Sequence, residues 1–195
     1  SNKPDFQIKH GLWKGRTLYD LYNAAHTPFE WHQELFDYAK KAQICLFSTP
    51  FDETSVSLLS QLDTPAYKIA SFEITDLPLL ECVAKQGKPV LMSTGMASPT
   101  EIGQALKVLM AGGNEEMLLF HCVSSYPVKL KDTNLDILRN LKETYSVEVG
   151  LSDHSLGNEA AIAAIALGAA MIEKHFTLDK SSGGEDSAFS IEPRD

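Results

Sequence analysis

Two histidines at the ends of two apolar runs carry the first chemical signal in the sequence: His154 in Gly150-Leu-Ser-Asp-His-Ser155 and His175 in Ile172-Glu-Lys-His-Phe-Thr177. Each run reads as the end of a β-strand, with a helix between them. In adjacent parallel strands, two inward-facing histidines at one level can share a metal ion. Side chains alternate along a strand, so His154 facing inward brings Ser152 and Gly150 with it, and His175 brings Glu173. The competing reading is a pair of satisfied core histidines. Their place at strand ends, ahead of polar loops, favours the metal.

The elements that must hold these groups keep a regular rhythm. Residues 1–27 read as polar and irregular, and Ser1-Asn2 as an expression scar. Thr27-Pro28 then opens a helix, with a capping threonine, proline at the first helical position and Glu30 at the third. Short apolar runs begin near residues 44, 66, 89, 117, 147 and 171, separated by amphipathic stretches at 53–62, 77–86, 99–111, 134–145 and 158–168. This is a βα repeat with six strands, too apolar for a sheet wet on one face, and it implies parallel strands joined by right-handed crossovers. None of these strands leads into a glycine-rich phosphate loop.

The strand ends instead carry hydroxyls and one cation. Ser48 and Thr49 end the first run, Lys68 and Ser71 mark the second, Ser93 and Thr94 end the third, and Ser124 and Ser125 come after the fourth. Such a set suits a phosphate or carboxylate. Each hydroxyl alone is more simply a loop-initiating turn, but their recurrence at successive strand ends favours a shared site. The even spread favours a (β/α)₈ barrel, where all strand ends converge on one face, over an open sheet. A closed barrel needs eight strands and roughly 250 residues, so six strands make it incomplete, the first two being absent. Lys68 is out of place in an apolar strand, and a salt bridge to Glu73 is its simplest explanation. Glu73 is also a candidate general acid/base, and Asp186 sits in a flexible loop after the last strand. Asp153 faces away from His154, as a helix cap or an outer partner. His121 reads as a core histidine.

Composition narrows the partners. With 195 residues, 44% of them hydrophobic, the chain fits one domain with a proper core, and its formal net charge of −9 argues against nucleic acid or an anionic membrane surface. Cys45, Cys82 and Cys122 show no metal-ligand spacing and read as buried thiols of a reducing, cytoplasmic protein. No apolar run reaches membrane-spanning length.

Five ordered motifs now carry a resemblance: Ser48-Thr-Pro-Phe-Asp52, Tyr67-Lys-Ile-Ala-Ser71 with Glu73, Met92-Ser-Thr-Gly-Met96, Ser152-Asp-His154 and Glu173-Lys-His-Phe-Thr177. In these the chain resembles the sialic acid synthase family of bacterial nonulosonic acid synthases, over nearly its whole length. Leu18-Tyr-Asp-Leu-Tyr22, His26-Thr-Pro-Phe-Glu-Trp-His32 and Asp186-Ser-Ala-Phe-Ser190 are similar to the pseudaminic acid synthase branch. The resemblance implies a TIM barrel that condenses phosphoenolpyruvate with an N-acylated amino sugar, using a divalent metal, Mn²⁺ first and Mg²⁺ or Co²⁺ next. It makes residues 1–195 part of the catalytic barrel domain, without the first two strands and the C-terminal antifreeze-like domain.

The resemblance also implies roles. His154 and His175 become metal ligands and, with Glu73, the catalytic set. Thr49, Lys68, Ser71, Ser93, Ser124 and Ser152 become phosphoenolpyruvate contacts, and Tyr126 and Asp186 sugar contacts. The complete protein would be a cytoplasmic homodimer. Glu185 stands where the family usually has proline, which would alter the loop that positions Asp186. The acceptor expected is 2,4-diacetamido-2,4,6-trideoxy-altropyranose. The competing readings are N-acetylneuraminate synthase acting on N-acetylmannosamine and, in another class, a barrel fragment without catalysis.

Overall fold

The structure is a computed structural model and describes residues 3–195; the Ser1-Asn2 pair read as a scar lies outside them. Five strands form one parallel sheet in chain order: β1 (Tyr67–Ile69), β2 (Val90–Ser93), β3 (Met117–Cys122), β4 (Glu148–Asp153) and β5 (Met171–Lys174). Each is followed or preceded by a helix, in the succession a half-barrel of βα units requires. The helices are α1 (Leu18–Ala25), α2 (His32–Ala42), α3 (Glu53–Gln61), α4 (Leu77–Ala84), α5 (Pro99–Ala111), α6 (Ile137–Tyr145) and α7 (Glu159–Ala166). Among the described residues, no helix is long and apolar enough to cross a membrane.

Local chemistry sets several of the helix starts. Ser98 and Glu101 form a reciprocal capping box at α5, with Pro99 at its first position. Asp52 accepts the Ser55 N–H at the start of α3, and Asp76 accepts that of Leu79 at the start of α4.

Four expectations need correcting. The run near residue 44 is not a strand: it touches the sheet through a single parallel bridge, Ser48 to Tyr67. It lies at the sheet edge with Ile44 64% exposed, so its side chains lack the two-sided burial that stabilises an inner parallel strand. Cys45, in this segment, is accordingly exposed rather than buried. Residues 3–27 are not irregular, because Thr17 accepts the Asp20 N–H and caps α1. Thr27 caps nothing; Phe29–Trp31 form a 3₁₀ turn ahead of α2 without a side-chain cap.

The strand period of two divides the residues between two faces. Tyr67, Ile69, Val90, Met92, Leu119, Val149 and Leu151 face the helices and join the main core with Val56, Leu80, Leu109 and Leu138. Each fully buried aliphatic side chain of this set contributes roughly 1.5–3 kcal/mol. The alternate residues face the inner side, where Leu91 and Phe120 form a small apolar floor with Ala66. Gly150 belongs to that floor: a Cβ there would stand 2.8 Å from the Phe120 ring and 2.6 Å from the Met171 carbonyl. Glycine is what lets the ring lie against β4.

One charged pair is buried on the helix side. Lys174 donates to Asp153 at 2.7 Å and to the Ser155 carbonyl at 2.7 Å, and both side chains are almost wholly covered. The register pairs Asp153 with Lys174, so this ion pair ties together the strands whose next residues are His154 and His175. Removing one partner strands a buried charge, which costs about 3–5 kcal/mol, whereas an apolar pair of similar volume is close to neutral. Lys174→Met should therefore lower the urea midpoint sharply, and Asp153→Leu combined with Lys174→Met should recover most of it. A single substitution as mild as a surface change would show that the pair does not clamp the strands.

Candidate active site

The inner face above the apolar floor is polar, and it surrounds a cavity of about 340 Å³. Its walls include Thr49, Lys68, Ser71, Ser93, Tyr126, Ser152, His154 and His175, together with Cys122 and Glu173. A larger hollow of about 530 Å³ lies between Phe6, Leu18, Tyr19, Tyr22, Asn23 and His26. Its lining offers no carboxylate or ammonium group, so the smaller cavity is the chemical candidate.

Lys68 is the fixed cation of that cavity. Its ammonium donates to Ser93 Oγ at 2.8 Å, pairs with Glu173 at 3.2 Å, and stands 5.5 Å from the centre of the Phe120 ring. Its salt-bridge partner is thus Glu173, not Glu73. β1 puts Lys68 on the inner face, whereas Glu73 lies beyond the strand end, in the 3₁₀ turn Ser71–Thr75. Glu173 also accepts from Ser152 Oγ at 2.7 Å. Glu173 is a further site residue, not among those expected, and the strand period puts it on the same face as His175.

His154 and His175 stand side by side, with ring centres 5.3 Å apart. His154 Nδ1 lies 2.9 Å from the Val123 carbonyl, and His175 Nδ1 lies 3.3 Å from Asp186 Oδ2. Each ring thus has its Nδ1 held by an oxygen, the outer support that metal-binding histidines commonly have, while Nε2 of His154 lies 3.5 Å from Ser152 Oγ. Two imidazoles fit a borderline divalent ion while leaving room for oxygen ligands. No cluster of three or more His, Cys, Asp or Glu side chains suited to a metal occurs among the described residues. The protein offers a pair, with its other coordination positions open.

The electrostatics are local and opposed. Burial works against charge on both Cys122 and His154, but their hydrogen bond and mutual attraction outweigh it, drawing the thiol down and the imidazole up. Burial pushes the Tyr126 phenol up to about 12, helped by Cys122, Asp186 and Glu173. Tyr126 thus stays a neutral donor at physiological pH, its ring 4.3 Å from that of His154. His121 lies outside the site, with Nε2 2.7 Å from the Thr133 carbonyl and its basicity lowered by burial.

The remaining expected residues sit at the margins. Ser124 and Ser71 crowd Gly95, where a Cβ would meet their hydroxyls at 2.7 and 2.9 Å; Gly95 N–H donates to Ser71 at 3.1 Å. Asp186 reaches the cavity through His175. Glu73 does not line the cavity, and its Oε2 is buried without a hydrogen-bond partner. Burial is the main cause of its raised pKa, with Asp76 adding to it and Lys68 opposing.

That shift has a definite sign. A carboxyl that holds its proton more tightly when folded loses folding stability as pH rises through its titration range. Glu73→Gln should therefore be most stabilising, relative to the parent, at pH 7, with the gain shrinking as pH falls to 4. Urea midpoints at the two pH values test this; a difference that does not change, or reverses, would rule it out.

Comparison with known proteins gives a consistent set of relatives. A model of the NeuB family matches residues 1–195. The pseudaminic acid synthase of Campylobacter jejuni is 46% identical over 192 residues, covering 98% of this chain and 56% of that protein. The N,N'-diacetyllegionaminic acid synthase of the same organism is 46% identical over 166 residues, covering 84% of this chain and 50% of that one. The chain thus spans about half the length of the curated relatives it matches. Among solved structures, the N-acetylneuraminic acid (sialic acid) synthetase of Leptospira borgpetersenii, in complex with citrate, superposes with a TM-score of 0.86 at 37% identity, over 90% of this chain and 61% of that one. A truncated 3-deoxy-D-arabino-heptulosonate 7-phosphate synthase of Thermotoga maritima shares the fold alone, with a TM-score of 0.74 at 18% identity, over 86% of this chain and 68% of that one.

Proposed function

Because the chain belongs to the NeuB family, we propose that its cavity condenses phosphoenolpyruvate with 2,4-diacetamido-2,4,6-trideoxy-altropyranose, giving pseudaminic acid and phosphate. The chain is then part of the catalytic (β/α)₈ barrel of a longer, cytoplasmic, homodimeric enzyme, which further barrel strands and an antifreeze-like domain would complete. The observation that carries the reading is one polar layer on one sheet face: Lys68 with Ser93 and Glu173, beside the His154–His175 pair. That layer joins an anion site to a metal-competent pair.

The roles follow the family resemblance, and the shared cavity of Thr49, Lys68, Ser71, Ser93, Tyr126, Ser152, His154 and His175 supports them. Lys68 and the hydroxyls of Thr49, Ser71, Ser93 and Ser152 receive the phosphate and carboxylate of phosphoenolpyruvate, with Ser124 at the margin. This orients C3 toward the aldehyde carbon of the open-chain sugar. C3 attacks, the new C–C bond forms, and positive charge develops at C2. The Glu173 carboxylate, fixed by Lys68 and Ser152, faces that charge. Water then adds to C2, and phosphate departs by C–O cleavage to leave the ketone. Glu73, which lies outside the cavity lining and whose affinity for a proton is raised by burial, is assigned the proton transfers on the resemblance alone. Tyr126 donates to the sugar and Asp186 accepts from it. His154 and His175 would hold a divalent ion, Mn²⁺ or alternatively Mg²⁺ or Co²⁺, which supplies Lewis-acid polarisation of the aldehyde.

N-acetylneuraminate synthesis from N-acetylmannosamine is the second reading, favoured by the match to the Leptospira synthetase. Phosphate release by the full-length gene product, supplied with phosphoenolpyruvate, Mn²⁺ and each acceptor in turn, separates the two. Release with the altrose derivative alone is expected; release with N-acetylmannosamine alone would move the enzyme to the sialic acid branch. Silence with both, from folded and metal-loaded protein, would sink the synthase reading.

Two further outcomes are expected in the same assay. EDTA should abolish release and added Mn²⁺ restore it. Lys68→Met should raise KM for phosphoenolpyruvate by on the order of a hundredfold, as loss of a charge-assisted contact does.

A further inference from the structure

The segment before α1 reaches across the chain to the loop that ends the site. Residues 7–17 fold back on themselves: Gln7 bridges Thr17 antiparallel, Ile8 N–H donates to the Arg16 carbonyl at 2.8 Å, and Gly15 N–H donates to that of Ile8 at 2.9 Å. Gly11 and Gly15 make this turn possible with φ of 81° and 91°. From it project Trp13 and Arg16. The Trp13 indole N–H donates to the Glu185 carbonyl at 3.1 Å, and the Arg16 guanidinium pairs with the Glu185 carboxylate. The other arm of the guanidinium donates to the Asp20 carbonyl at 3.1 Å, which fixes its direction.

Glu185 thus has both its main chain and its side chain anchored, and its neighbour is Asp186. Asp186 lies 3.3 Å from His175 Nδ1. The Trp13 ring sits 5.9 Å from the Tyr126 ring and 6.4 Å, edge-on, from that of Phe189. Tyr126 packs on His154, and Phe189 packs on His175 at 4.8 Å. Two residues from the start of the chain therefore hold the wall formed by Asp186, Phe189 and Tyr126 against both histidines.

We infer that Trp13 and Arg16 are positioning residues for the acceptor sugar, setting Asp186 through Glu185 and Tyr126 through the Trp13 ring. This rests on the synthase reading above. Lys68, Ser93 and Glu173 owe nothing to the clasp, so the phosphoenolpyruvate end of the cavity is independent of it. The Arg16–Glu185 pair is about one-third exposed, and such pairs add little to folding stability. Its effect is on position.

The test is steady-state kinetics of the full-length gene product with each substrate varied. Arg16→Met should raise KM for the acceptor about tenfold, leave KM for phosphoenolpyruvate unchanged, and keep the urea midpoint close to that of the parent. Arg16→Lys should recover most of the loss, and so should the exchange Arg16→Glu with Glu185→Arg. An unchanged acceptor KM in an active enzyme overturns the clasp and leaves the synthase reading standing. So does an equal rise in both KM values with a lowered midpoint, which would mark a merely structural contact. A parent that turns over neither acceptor overturns the synthase reading and the inference with it.

Discussion

The ammonium of Lys68 is the constraint that shapes the inner face. An unpaired ammonium so buried costs several kcal/mol, and an apolar floor beneath it makes water a poor substitute. The structure answers with Glu173, Ser93 and the face of Phe120. Gly150 must be small for Phe120 to lie there, and Ser152 must hold the second oxygen of Glu173. Register does the rest, because Ser152 and Glu173 are paired across β4 and β5, and the histidines come two residues later on each strand. A cation on β1 is thereby connected to the ends of β4 and β5 through partners that also line the cavity.

Much of this was legible in the sequence, and for a physical reason. The period of two fixes which residues share a face without any knowledge of the fold, so Ser152 with His154, and Glu173 with His175, could be read directly. The amphipathic stretches marked α3 to α7 closely, since five parallel strands need helices on their outer side. Three things were less legible. The segment near residue 44 has the apolar composition of a strand, but composition does not supply a neighbour, and at the edge it makes one bridge. The partner of Lys68 was sought nearby in the chain, at Glu73, whereas the sheet brings Glu173 to it from the far strand. The ordered turn at residues 7–17 has no periodicity to announce it; its contacts with Glu185 span more than 160 residues.

Glu73 illustrates a different kind of gap. Its type and position marked it as an acid/base candidate, and its environment fits that role in one respect: burial raises its affinity for a proton. Yet its side chain lies outside the cavity lining. Spacing along a chain gives the rim on which a group stands, but not the rotamer that decides whether it faces the substrate. Cys122 is the converse case. It reads as an ordinary buried thiol, and only its contact with His154 shows that it shares the electrostatics of the site.

β4 and β5 are read on both faces at once. Asp153 and Lys174 close an ion pair against the helices, while His154 and His175, one residue on, face the cavity. Inserting or deleting one residue in either strand would exchange the two sets, burying imidazoles in the core and aiming a carboxylate or ammonium at the substrate. Such strands cannot be edited in small steps, because each step damages folding and chemistry together. The loops at the strand ends carry no such double duty. Variation compatible with the fold is therefore easiest at the rim, while the strands of the half-barrel stay fixed in register.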